Sequence, residues 1–188
     1  MEQWKPYVQA KPVRLLAIDD LEATHILTQI FTRCGYQVSH DSGNYEGCDF
    51  LLIQPAQIPQ CSSGLEYLLL AENHIENFRH LAGAFQYCAV EYEALCEFCG
   101  DFFAQTVSYS ANDSGADVFA GNIRHTPEGV VFELTSGGVI GRVVIGCQES
   151  IRPALLAALT ALCCGVPFAR IVDTLNQMTE IPVNRYYG

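Results

Sequence analysis

The chain has 188 residues and a formal charge of −11, with 49% hydrophobic and 16% charged residues, the composition of one folded domain and not of a disordered chain. The excess of 21 acidic over 10 basic residues repels phosphate backbones and anionic lipid surfaces, which excludes nucleic acid and membrane as expected partners. No apolar stretch reaches the ~18 residues needed to span a bilayer. Met1–Pro12 has neither the basic start nor the apolar run of a signal peptide. Both observations point to the cytoplasm, where the nine cysteines are expected to stay reduced.

In chain order, Met1–Pro12 carries Trp4, Tyr7 and two prolines without periodicity, and reads as an arm on a single domain over residues 13–188. Val13–Ile18 (VRLLAI) is a short apolar run followed by acids, the pattern of a buried strand. Leu21–Cys34 places Leu21, Ile26, Leu27, Ile30 and Phe31 near one helical face and stops before Gly35. Tyr36–Ser39 resumes as a strand. Asp49–Ile53 (DFLLI), Leu65–Ala71, Tyr87–Val90 and Thr106–Tyr109 read as further strands. Ile75–Ala84 and Glu91–Phe98 are helix-compatible. After residue 117 the texture changes. Asp117–Arg124, Val130–Thr135 and Gly141–Ile145 read as an antiparallel meander with turns at Thr126–Gly129 and Ser136–Gly138. Ile151–Cys164, with Pro153 in its first turn and Gly165 beyond its end, and Phe168–Met178 close the chain as a helix pair. The expected fold class is α/β: a mainly parallel sheet with flanking helices, an antiparallel meander and a C-terminal helix pair.

This order of elements is similar to the central, ATP-binding domain of the Mur ligase family. Thr106–Leu134 (TVSYSANDSGADVFAGNIRHTPEGVVFEL) resembles the family's strand and hairpin most closely. Gly146–Met178 resembles its Ala-rich helix, Gly-Val-Pro link and second helix, and Ile181–Arg185 (IPVNR) its junction to a C-terminal domain. The likeness spans most of the chain after about residue 13 and lacks both flanking domains.

The resemblance implies an ATP site, but the positions that would form it differ. The family's first strand runs into a Gly-Thr-x-Gly-Lys-Thr loop, whose backbone amides cradle phosphates. Here it runs into Ile18–His25 (IDDLEATH), with no glycine and no lysine. Asp19, Asp20 and Glu22 stand where a polyanion would sit, and like-charge repulsion in a partly dry site costs several kcal/mol. The position of the magnesium-binding Glu falls on Gln54, a poor ligand for that hard cation. The His-Asn pair that opens the Ala-rich helix falls on Gln148 and Glu149, and the Asn used near the adenine on Arg152. Asn73-His74 echoes an Asn…Asp-His region without the Asp, and Ile75–Glu97 holds no lysine to be the family's modified one. No ATP, cofactor, metal or ligase catalysis is expected, and these nine residues stand as lining of a former cleft.

Other features compete. Asp19-Asp20 after an apolar strand, and Ile58–Glu66 (IPQCSSGLE), also resemble a response-regulator receiver, but Gln54 stands where the phosphoacceptor Asp belongs. Cys96-Glu-Phe-Cys99 is a single CxxC, either half a zinc or redox site or small buried residues on a helix; structural cysteines are expected. The five histidines show no metal-type pairing, and no Gly-x-Ser-x-Gly elbow supports a hydrolase. Two readings remain. One is a non-catalytic scaffold or interaction protein, linked to cell-wall or peptide-ligation metabolism and acting as a homo-oligomer or with a protein partner. The other is a small-molecule binder that reuses the former nucleotide cleft for a neutral or cationic ligand. A binder keeps a hollow lined by Asp19, Asp20, Glu22, Gln54 and Glu149, whereas a scaffold has it filled by side chains.

Overall fold

The run RLLAI forms β1 (Arg14–Ile18), an inner strand of the parallel part of the sheet. Its alternation separates two cores. Leu16 and Ile18 join one buried cluster and Leu15 and Ala17 the other, because successive side chains leave a strand on opposite faces. The computed structural model describes residues 13–60, 65–69, 85–95, 105–146 and 150–178. The Met1–Pro12 arm, the Ile75–Ala84 helix, the Cys96–Cys99 motif and the Ile181–Arg185 junction lie outside the described residues.

From β1 the chain enters α1 (Leu21–Arg33), then β2 (Val38–Ser39), β3 (Phe50–Ile53), β4 (Leu65–Leu69), β5 (Tyr87–Glu91) and β6 (Gln105–Ser110). The meander is β7 (Val118–Thr126), β8 (Gly129–Ser136) and β9 (Val139–Ile145), followed by α2 (Arg152–Cys163) and α3 (Phe168–Gln177). All nine strands form one sheet in the order β2-β3-β1-β4-β5-β6-β7-β8-β9. Pairing is parallel from β2 through the β6–β7 contact and antiparallel from β7 to β9. The expected fold class therefore stands. The β8–β9 turn is Gly137-Gly138 with φ of 56° and 80°, the left-handed pair that a tight hairpin demands and glycine supplies.

α1, α2 and α3 contribute to the same apolar cluster as Leu16, Ile18, Phe50, Leu52, Phe132, Leu134 and Val143. α2 is the centre of this layer. Every residue from Pro153 to Ala161 is buried, Thr160 among them with its hydroxyl donating to the Leu156 C=O at 2.8 Å. It is held at both ends by arginine. The Arg14 guanidinium donates to the Cys164 C=O at 3.0 Å while lying 5.4 Å from the Phe50 ring centroid. Arg152 pairs with a buried carboxylate described below. Phe31 of α1 stacks on Phe50 with centroids 3.9 Å apart, and Tyr36 meets both rings edge-on.

One expected boundary is corrected. Glu91 does not begin a helix. It is the last residue of β5, paired with Tyr109 of β6, and the 3-10 turn Tyr92–Ala94 leads into Leu95, which is helical and ends this described segment. The parallel ladder fixes the backbone of Glu91 as strand, so the helical stretch starts after it, and residues 96–98 of the expected helix lie outside the described residues.

Candidate functional site

In open α/β sheets, ligands sit outside the carboxyl ends of the parallel strands. Here those ends carry Asp19 and Asp20 after β1, Gln54 after β3, Glu91 to Glu93 at β5 and Ser110 at β6. The amino termini of α1 and α2 also belong to this rim, α1 directly after β1 and α2 through the Arg152–Glu91 pair.

α1 begins where a phosphate would be expected, since free N–H groups and the helix dipole favour an anion. The chain supplies its own. Asp20 is the N-cap, its Oδ1 accepting from Ala23 N–H at 2.8 Å, while its C=O accepts from Thr24 N–H at 2.9 Å and Thr24 Oγ1 at 2.7 Å. Glu22 follows in the first turn, and its carboxyl is held above the ordinary range, first by burial and then by the Asp20 charge. A raised folded-state value means the folded chain binds this proton more tightly than the unfolded one. Stability therefore falls as pH rises from the ordinary carboxyl value through the folded one. Glu22→Gln is expected to raise Tm modestly at neutral pH and to leave it unchanged in acid, where Glu22 is protonated. An equal gain at both pH values in thermal melts contradicts this.

Gln54 follows β3, next to β1. Its backbone N–H donates to Gln57 Oε1 at 2.9 Å, and its side chain is exposed. Asp19, Asp20, Glu22 and Gln54 are thus brought together at the ends of two neighbouring strands. Arg152 is not with them. It opens α2 and reaches Glu91 at the end of β5, two strand positions from β1, or about 10 Å at ordinary strand spacing. Asn73, His74, Gln148 and Glu149 lie outside the described residues.

The Arg152–Glu91 pair joins two elements of this rim. Arg152 Nε lies 2.8 Å from Glu91 Oε1, with the Arg side chain 44% exposed and the Glu side chain 0% exposed. β5 alternation turns Glu91 to the same face as Ala89 of the helix-side core, toward α2. An adjoining network fixes the ends of β5 and β6. Ser110, fully buried, donates to Glu93 Oε1 at 2.5 Å and accepts from Asn112 and Asp113 N–H at 2.9 and 2.8 Å. Asp117 Oδ2 accepts from both Ser108 N–H and Ser108 Oγ, at 2.7 and 3.0 Å. Ser110 is therefore held as a structural hydroxyl, its lone pairs facing backbone amides. Glu91, Glu93, Ser110 and Asp117 escaped the sequence reading. An acid directly after the apolar run YCAV was the available signal for Glu91, while the Ser108–Asp117 and Ser110–Glu93 contacts leave no spacing signature.

Among the described residues, no group of three or more His, Cys, Asp and Glu is placed to hold a metal ion, and no helix is long and apolar enough to cross a membrane. Burial pushes the Cys88 thiol up to about 12, so it packs as a small apolar group instead of serving as a nucleophile.

The sequence matches no protein-family profile, and no curated protein is similar to it in sequence. Solved structures, however, share the fold. A UDP-N-acetylmuramoyl-L-alanyl-D-glutamate–2,6-diaminopimelate ligase superposes with a TM-score of 0.72 at 13% identity, over 92% of this chain and 48% of the ligase. A pseudomurein peptide ligase type C from Methanothermus fervidus gives 0.68 at 14% identity, over 92% and 50%. MurF from Acinetobacter baumannii gives 0.62 at 18% identity, over 90% and 46%. The fold is Mur-ligase-like, and the chain spans about half the length of these ligases. Identities this low establish the fold alone. The receiver alternative is overturned: β1 here lies between β3 and β4, whereas a receiver sheet places its second strand beside its first, and the meander has no counterpart there.

Proposed function

We propose that this chain is a non-catalytic, Mur-ligase-like scaffold or interaction protein, linked to cell-wall peptide ligation and working through a second copy or a partner protein. The observation that carries the reading is the Asp20 carboxylate on the amino terminus of α1. An anion already hydrogen-bonded at that terminus competes with a phosphate for the same N–H groups and repels it. The Arg152–Glu91 pair supports the same reading, because the opening turn of α2 spends its one cationic side chain on an internal carboxylate. Side chains that satisfy one another at the rim favour the scaffold over a ligand-filled cleft.

Calorimetric titration of the full chain with millimolar ATP and magnesium is the test. No saturable heat is expected. A dissociation constant tighter than ~100 μM, about 5.5 kcal/mol of binding free energy, overturns the reading. Saturable heat with a small organic cation but not with ATP would instead establish the cleft as a binding site for cationic ligands.

A further inference from the structure

An edge strand presents a row of N–H and C=O groups with which another strand can pair. β9 ends the described sheet on one side. Its ladder with β8 runs from Ser136↔Val139 to Val130↔Ile145, and the alternation of antiparallel pairing turns the backbone groups of Ile140, Arg142 and Val144 outward. One side chain of α3 meets two of them. Asn176 Oδ1 accepts from Val144 N–H at 2.8 Å, and Asn176 Nδ2 donates to Arg142 C=O at 3.0 Å. A primary amide so placed offers the same donor and acceptor as the peptide unit of an added strand.

The rest of α3 conforms to this. Phe168 and Val172 share a helical face with Asn176 at four-residue spacing. They close over Gly141, where a Cβ would lie 2.5 Å from Val172 Cγ2 and 3.0 Å from Phe168 Cε1. Only a residue without a side chain lets the helix come so near the edge. Beyond this stripe the edge stays open, with Val139 54% and Ile140 62% exposed.

We propose that α3 is a guard on the β9 edge, with Asn176 as a surrogate strand, and that what it excludes is the β9 of a second copy of this chain. Identical edges related by a two-fold axis are complementary by construction, and Val139 and Ile140 are apolar, β-branched residues of the kind that pair across antiparallel strands. Self-association of the native chain then uses another face. The inference does not depend on the nucleotide reading above.

Sedimentation velocity on the full chain tests it, comparing wild type, Asn176→Ala and Asn176→Ala/Ile140→Lys at matched concentrations, with amide hydrogen exchange on β9. Asn176→Ala is expected to self-associate at least tenfold more tightly than wild type. The Ile140 and Arg142 amides gain protection with concentration, and Ile140→Lys abolishes the gain. A folded Asn176→Ala chain that associates like wild type overturns the proposal, as does a gain that Ile140→Lys leaves intact. Should Asn176→Ala fail to fold, Asn176→Ser, which keeps a small polar group but cannot span both backbone groups, is read by the same two criteria.

Discussion

Truncating Leu155 or Leu156 to alanine is expected to lower the unfolding free energy by about 2–5 kcal/mol, read from denaturant titration. Both side chains are 0% exposed and lie in the cluster shared by all three helices and the sheet. The cost combines lost transfer energy with a cavity that the surroundings fill only in part. Ala154, Ala157, Ala158 and Ala161, all 0% exposed, set α2 close to its neighbours, which leaves little freedom to collapse around a void. Leu159, at 2% exposure, should behave alike, whereas the half-buried Leu162 should cost less. Against a net stability of about 5–15 kcal/mol, each buried truncation removes a large fraction. Unchanged midpoints in Leu155→Ala, Leu156→Ala and Leu159→Ala together would mean that α2 is peripheral.

Removing Arg152 should be nearly as damaging for a different reason. Arg152→Ala leaves the Glu91 carboxylate in a site with 0% exposure, and stripping one partner from a buried ion pair typically costs about 3–5 kcal/mol. The Arg152 side chain is 44% exposed, so the loss should fall near the lower end, about 3 kcal/mol. The pair itself contributes far less than this, since the Glu91 carboxylate was fully desolvated to form it. Arg152→Met combined with Glu91→Gln should therefore recover most of the stability lost in Arg152→Ala. A double variant as unstable as the single one would show that the packing of the guanidinium stem, not the buried charge, sets the loss.

The strands were legible because they are short apolar runs bounded by breakers. DFLLI before Pro55 and VRLLAI before two acids became β3 and β1 within a residue or two. α1 was legible from Gly35 and from its apolar face, of which Leu21 is the one expected member left exposed, and the β8–β9 hairpin from Ser136-Gly-Gly138. What escaped were contacts between residues far apart in sequence. Glu91 and Arg152 are joined across the sheet, as are Arg14 and Cys164. No local pattern marks such pairs. Arg152 was assigned to the rim from its position relative to the Ala-rich helix, but its carboxylate partner was hidden in a stretch of helical composition. Asp20 was recognised as a misplaced charge at a phosphate position. That it caps its own helix became visible only from its bond to Ala23 N–H.

That cap bears on how readily this chain could change its chemistry. A phosphate-binding loop at the start of α1 would need Asp20 removed, yet losing a side-chain N-cap to alanine costs about 1 kcal/mol. The new loop would return that energy only once nucleotide is bound. A path through alanine at position 20 therefore first crosses a less stable protein, whereas serine, threonine or asparagine there keeps a cap without the charge. Asp20 thus ties the stability of α1 to the charge at its start, and that charge can be dropped without cost only where another capping side chain takes its place.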